Sequence, residues 1–155
     1  MRHAKSSWEH HVSDFDRPLK GRGTKDAQLI SNYVRDKMDL PDLILSSDAN
    51  RARSTAEIFR DNFGSNEFAI KLVHDLYDFS GEQLLRVIKN CEDSVQDLMI
   101  FGHNYAITDF VNTFGSDYFG NVPTAGLVII RFDIDSWSDL NKGQTVFKIF
   151  PKELK

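Results

Sequence analysis

The sequence predicts an α/β domain built on a mainly parallel sheet covered by helices on both faces. Two observations predict it. Short apolar runs, Leu43-Ile44-Leu45 and Leu98-Met99-Ile100-Phe101, alternate with longer stretches whose apolar residues recur at helical spacing. Each of those runs also ends in a polar cluster, Ser46-Ser47-Asp48 after the first and Gly102-His103-Asn104 after the second. In open α/β sheets ligands bind beyond the carboxyl ends of the strands, so these clusters mark the end of the sheet where a pocket belongs.

Taken in order, the chain begins with Arg2-His3-Ala4-Lys5-Ser6 and a polar stretch, then Arg17-Pro18-Leu19-Lys20-Gly21-Arg22-Gly23, whose proline and glycines read as loop. Thr24 can cap a first helix carrying Ala27, Ile30, Val34 and Met38, which ends before Pro41. After the strand at Leu43–Leu45, Ala52, Ala56, Phe59 and Phe63 form one face of a second helix closing at Gly64. The loose alternation from Phe68 to Val73 predicts another strand. Ser80-Gly81-Glu82-Gln83 fits a capping box ahead of Leu84, Leu85 and Ile88, so a third helix starts there. A fourth follows the Leu98–Phe101 strand, with Ile107, Phe110, Val111 and Phe114 on its buried face and Gly115 as its stop. Leu127–Ile130 and Thr145–Phe150 predict two strands joined across the polar segment around Asp139–Gly143.

Composition narrows the function. A chain of 155 residues fits one domain, able to bury about two-thirds of its unfolded surface around one core. Its 19 basic and 23 acidic residues give a net charge of -4, which argues against general affinity for nucleic acid or anionic membrane. An anionic ligand must then be captured by a local pocket. The single cysteine, Cys91, excludes an internal disulfide framework, and no apolar stretch has the length of a membrane span or the layout of a signal peptide. The expectation is a soluble, cytoplasmic protein.

The basic residues at the predicted strand ends suit a phosphoryl group. Arginine offers a rigid fork of donors to its oxygens, and Arg2 and Arg51 are the pair placed to do so. Nearby arginines also disfavour protonation of an imidazole, which keeps it nucleophilic. His3 could then attack phosphorus, forming a phosphohistidine that water hydrolyses, while His103 steadies charge on the phosphoryl oxygens.

These residues carry a family resemblance. Arg2-His3-Ala4-Lys5-Ser6, Arg17-Pro18-Leu19, Ser46-Ser47 with Arg51-Ala52 and Thr55-Ala56-Glu57, and Gly102-His103-Asn104 together resemble the histidine phosphatase superfamily, which has the phosphoglycerate mutase-like fold. With Pro123-Thr124-Ala125-Gly126 they look more narrowly like its short SixA-type phosphohistidine phosphatase branch. Each motif alone is weak, and four in register are strong. The resemblance implies a three-layer α/β/α domain over residues 1–155 and phosphoryl transfer without metal or cofactor. It implies His3 as the phosphorylated residue, with Arg2, Arg51 and His103 completing the pocket. It implies as substrate a phosphorylated small molecule or a phosphohistidine-containing protein.

The chain departs from the family pattern in two places. An apolar strand normally precedes the arginine and histidine, whereas only Met1 precedes Arg2, so the first strand is expected to be truncated. Relatives acting on phosphate esters use a glutamate as general acid in the segment matching His74–Asp78. Here Asp75 is the closest match, with Asp78 and Glu82 as stand-ins. A phosphorus–nitrogen bond needs that acid less, which favours phosphohistidine.

Other residues have plainer readings. Arg53 is expected exposed at the same helix start as Arg51, and Arg17 is expected to pair with Asp14 or Asp16. Lys5, Ser6 and Trp8 could shape the entrance; His10, His11 and His74 lack metal spacing and read as solvated; Cys91 reads as a small buried residue. Two rival functions are a phosphoglycerate mutase-like phosphotransferase, disfavoured by the short chain, and a phosphate-binding module without turnover.

Overall fold

The computed structural model describes residues 1–64 and 69–155. Strand β1 (Leu43–Ser46) lies between β2 (Ile70–Leu72) and β3 (Leu98–Phe101), parallel to both. Strand β4 (Leu127–Arg131) pairs antiparallel with β5 (Gln144–Ile149). The α/β class and the predominance of parallel pairing in the larger sheet agree with the sequence. Phe68, the first residue of the strand expected before Val73, lies outside the described residues; the strand itself is Ile70–Leu72.

The segment Met1–His3 is clasped between the end of β3 and the turn that leads into β4. Gly102 donates its amide to the Met1 carbonyl and His3 donates to the Gly102 carbonyl, each at 3.0 Å. On the other side Arg2 donates to the Gly126 carbonyl at 3.2 Å and Ala125 donates to the His3 carbonyl at 3.0 Å. Pro123–Gly126, singled out in the sequence, is thus the turn that flanks His3. Beyond this clasp, β3 and β4 border an apolar cleft lined by Met1, Ile100, Val128 and Ile130.

Alternation along β1 divides the apolar residues between two clusters. Ile44, with Met99 and Phe101 of β3, packs on helices α1 (Gly21–Val34) and α2 (Asn50–Asn62) through Ala27, Ile30, Ala56 and Phe59. Leu45, the next residue, belongs instead with Leu84, Ile88, Ile107 and Val111 of α3 (Glu82–Lys89) and α4 (Ala106–Phe114). Successive strand residues point to opposite faces, so each face gains its own helical cover.

Several helix ends differ from expectation, and α1, expected to carry Met38, already stops at Val34. Helix α1 begins at Gly21, with Lys20 as its extended cap, so Thr24 lies inside the first turn. The Lys20 amide donates to the Lys5 carbonyl at 2.9 Å, which anchors the start of the helix from outside. Helix α3 is capped chiefly by Asp78, whose Oδ2 accepts the amides of Gly81, Gln83 and Leu84, each at 3.0 Å, while Ser80 Oγ takes only the Glu82 amide at 3.4 Å. A carboxylate satisfies several of the amides that a helix start leaves unpaired, and suits the positive end of the dipole. Helix α4 stops at Phe114, as expected, but Gly115 has φ -85° and ψ 174° and is not left-handed. Its lack of a side chain matters for space, since a Cβ there would fall 2.4 Å from Thr145 Oγ1 and 2.6 Å from the Val111 carbonyl. Cys91, expected buried, is half-buried just past α3. Among the described residues no helix is long and apolar enough to cross a membrane.

Candidate active site

The fold brings four of the basic residues singled out in the sequence to one place. His3 and His103 face each other with ring centroids 5.2 Å apart, and Arg51 Nε donates toward His3 Nε2 at 3.4 Å. Each is delivered by a different element. The clasp described above holds His3, the turn after β3 presents His103, and Arg51 sits in the first turn of α2, just beyond β1. Arg2 reaches the same region with Nη1 bonded to the Val122 carbonyl at 3.0 Å. Thr55 ties two of these elements together, accepting the Ala4 amide at 3.0 Å and donating to the Arg51 carbonyl at 2.7 Å.

The histidines are held in particular protonation states. His3 Nδ1 lies 2.7 Å from the Ala4 carbonyl, an acceptor only, so the hydrogen-bond pattern assigns the ring proton to Nδ1 and leaves the Nε2 lone pair directed at Arg51. Burial, opposed by that backbone bond and reinforced by His103, Arg51 and Arg2, pushes the His3 pKa down to about 3. At neutral pH the imidazole is therefore uncharged and nucleophilic. His103 is likewise lowered to about 3, first by burial and then by Arg51. Its Nε2 lies 2.8 Å from Ser47 Oγ, while the rings of Tyr77 and Phe79 pack 5.3 and 5.2 Å away.

Among the described residues two buried nitrogens here, Arg2 Nε and His103 Nδ1, have no hydrogen-bond partner. Ser47 Oγ accepts the Ala49 amide and can give its own proton to His103 Nε2, which assigns the ring proton to Nδ1. Unpaired buried donors are costly, and an anionic oxygen is the natural acceptor for a guanidinium and an imidazole N–H. The arrangement can bind a tetrahedral oxyanion against a neutral imidazole nitrogen. It supplies a nucleophile and donors, the set that phosphoryl transfer requires.

Asp14 belongs to this site in a way the sequence reading missed. Its Oδ2 accepts from Arg51 Nη2 at 2.9 Å and from the Tyr77 hydroxyl at 2.5 Å, its Oδ1 accepts from Arg17 Nη1 at 3.0 Å, and its carbonyl accepts from Arg51 Nη1 at 2.7 Å. Partial burial alone would raise its pKa, but hydrogen bonds from Tyr77, Arg51 and Arg17 outweigh this and hold it at about 2. The expected Arg17–Asp14 pair was the one legible trace of this network. Arg17 also donates to the Ser7 carbonyl and to Ser6 Oγ, and stacks 3.2 Å above the ring of exposed Trp8.

Among the described residues, none of the remaining candidate carboxylates bonds any of the four, although Asp78 is near enough to His103 to favour its charged form. Asp75 is exposed in the short turn His74–Leu76, and among the described residues it bonds none of them. Asp78 is committed to capping α3, and Glu82 is exposed in its first turn. Arg53 is exposed and donates to Asn50. His10 and His11 are exposed, and His74 bonds both carboxylate oxygens of Asp48 at 3.0 Å.

Comparison with known proteins places this geometry. The family profile described as the histidine phosphatase superfamily, branch 1, matches residues 1–83. An uncharacterised protein of Mycobacterium tuberculosis is 28% identical over 153 residues, covering 92% of this chain and 93% of that protein. The crystal structure of a proposed phosphohistidine phosphatase SixA from Agrobacterium tumefaciens superposes with a TM-score of 0.75 at 32% identity, over 84% of this chain and 87% of the other. A protein histidine phosphatase SixA complexed with tungstate shares the fold at a TM-score of 0.80 and 19% identity, over 100% of this chain and 97% of that one.

Proposed function

Because the chain belongs to the histidine phosphatase superfamily, branch 1, we propose that it is a phosphatase that works through a covalent phosphohistidine on His3. In this reading His3 Nε2 attacks phosphorus in line with the departing group, Arg2, Arg51 and His103 bind the phosphoryl oxygens, and water then hydrolyses the phosphorus–nitrogen bond. The observation that carries the proposal is the neutral His3 with Nε2 directed at Arg51 while Nδ1 is engaged by Ala4. A nitrogen so placed has its lone pair available in the phosphate pocket at neutral pH.

The substrate we propose is a phosphorylated group on a small molecule or a protein, with protein phosphohistidine favoured by the likeness to SixA-type proteins. The reading includes one domain with helices on both faces of the sheet, three layers in all, supported by the two apolar clusters on opposite sides of β1. Turnover of p-nitrophenyl phosphate and of a phosphohistidine peptide tests it. The intact protein should hydrolyse one or both, His3→Ala should lose turnover, and a brief reaction should trap an acid-labile, base-stable phosphoryl group on His3. Binding of phosphate without turnover, or turnover that survives in His3→Ala, defeats the proposal.

A further inference from the structure

We infer that Asp14 is the proton donor and acceptor of the reaction, presented to the pocket by Tyr77 and Arg17 when a phosphoryl group takes the guanidinium of Arg51. The inference rests on the phosphatase reading above and deepens it. The sequence directs attention to the His74–Asp78 segment for this role, but the geometry there is unpromising. Asp78 spends its carboxylate on the amides of α3 and on Ser80, and Asp75 and Glu82 are exposed. Asp14 is the carboxylate that, among the described residues, bonds one of the four pocket residues.

Three donors converge on Asp14, and a phosphoryl group would change only one of them. Arg51 spans His3 Nε2 and Asp14, so a phosphoryl group at His3 competes with Asp14 for that guanidinium. Arg17 and the Tyr77 hydroxyl remain to fix the carboxyl beside the departing group. The exchange also changes its proton affinity. Losing Arg51 removes a cation that favoured the carboxylate, and a phosphoryl dianion nearby disfavours it further, so Asp14 takes up a proton as substrate binds. Arg17, Tyr77 and, at longer range, His103 are the other ionisable groups facing it.

The step balances as follows. The His3 Nε2 lone pair forms the bond to phosphorus, the bond from phosphorus to the leaving atom breaks with its electron pair, and the Asp14 carboxyl proton passes to that atom. In the second half a water oxygen bonds phosphorus, the bond to Nε2 breaks, and Asp14 carboxylate takes the water proton. The charge state of both residues is thereby restored.

Leaving groups of different acidity test the assignment. In kcat/KM, which reports the cycle through transfer to His3, Asp14→Asn should lose about 10²-fold or more with phenyl phosphate. With p-nitrophenyl phosphate, whose nitrophenolate departs readily without a proton, it should lose less than about tenfold. Asp14→Glu should recover the phenyl phosphate reaction selectively. Equal losses on the two substrates, or none on either, overturn the inference. Tyr77→Phe decides the same question without altering Asp14: it should slow phenyl phosphate more than p-nitrophenyl phosphate, and an equal effect counts against the assignment. Failure here is distinct from failure of the phosphatase reading. If the intact protein turns over through His3 while the variants ignore the leaving group, only the role of Asp14 falls.

Discussion

At the scale of single residues, Arg51 does more than supply charge. It sends Nε toward His3, Nη1 to the Asp14 carbonyl and Nη2 to the Asp14 carboxylate, three directions that only a planar fork can serve together. Lysine would keep the charge and lose the geometry. We expect Arg51→Lys to fold and to lose about 10²- to 10³-fold in kcat on p-nitrophenyl phosphate; near-normal turnover would show that the charge alone suffices. Singly, Arg2, His3, Arg51 and His103 each have a common structural reading, and they were legible as candidates only because their motifs recur together in the order of a known family. Asp14 was not, because it lies 37 positions from Arg51 and 63 from Tyr77, and only its partner three residues away is visible as a local pattern. Ser47 is similar: it follows β1 as read, but its hold on His103 spans 56 positions.

At the scale of elements, the loop and helix that follow His3 are set by one close backbone approach. A Cβ on Gly23 would lie 2.1 Å from the Lys5 carbonyl oxygen, and backbone cannot swing aside as the tip of a side chain can. Gly23→Ala should therefore destabilise the fold by about 1–3 kcal/mol, read as a lower denaturant midpoint, although alanine is the better helix former. A gain in stability would mean that α1 can shift away from Lys5 freely. Among the described residues, periodicity and apolar runs located the four α-helices and five strands but not the short 3-10 turns, Asp14–Asp16 among them. The same reading misplaced the caps at Thr24 and Ser80 because the groups that start α1 and α3 are chosen by contacts outside the helices, Lys5 for one and Asp78 for the other. The capping rules weigh the residue at the cap itself, and here the deciding groups lie elsewhere, Asp78 two positions ahead of Ser80 and Lys5 fifteen ahead of Lys20.

At the scale of the whole molecule, the buried histidines couple folding to pH. His3 and His103 have an ordinary pKa of 6.5 and are lowered to about 3 in the fold. Between those values the unfolded chain binds protons that the native one refuses, so stability falls as the pH drops from 6.5 toward 3. Asp14, lowered from 3.8 to about 2, adds a further loss below pH 3.8. Denaturant midpoints should decline from pH 7 to pH 5, and the decline should shrink in a His3→Gln, His103→Gln double variant. A flat wild-type profile would show that these rings are not held neutral. The two-faced burial behind this was readable, since Ile44 and Leu45 are consecutive apolar residues in a short strand and must serve opposite sides. The strand order β2-β1-β3 was not, because nothing in a run such as Ile70–Leu72 specifies which neighbour it pairs with.

The clasp around His3 has a stereochemical consequence. The main chain of His3 is bonded to Gly102 on one side and Ala125 on the other, and the Ala4 carbonyl holds its Nδ1, so Nε2 faces the pocket from one direction. In the proposed two-step reaction, the departing group and the water that replaces it would then share one line of approach, opposite Nε2. Each substitution would invert the substituents around phosphorus like an umbrella in wind, and two in succession would return them, so a thiophosphate substrate made chiral with oxygen isotopes should give product of retained configuration.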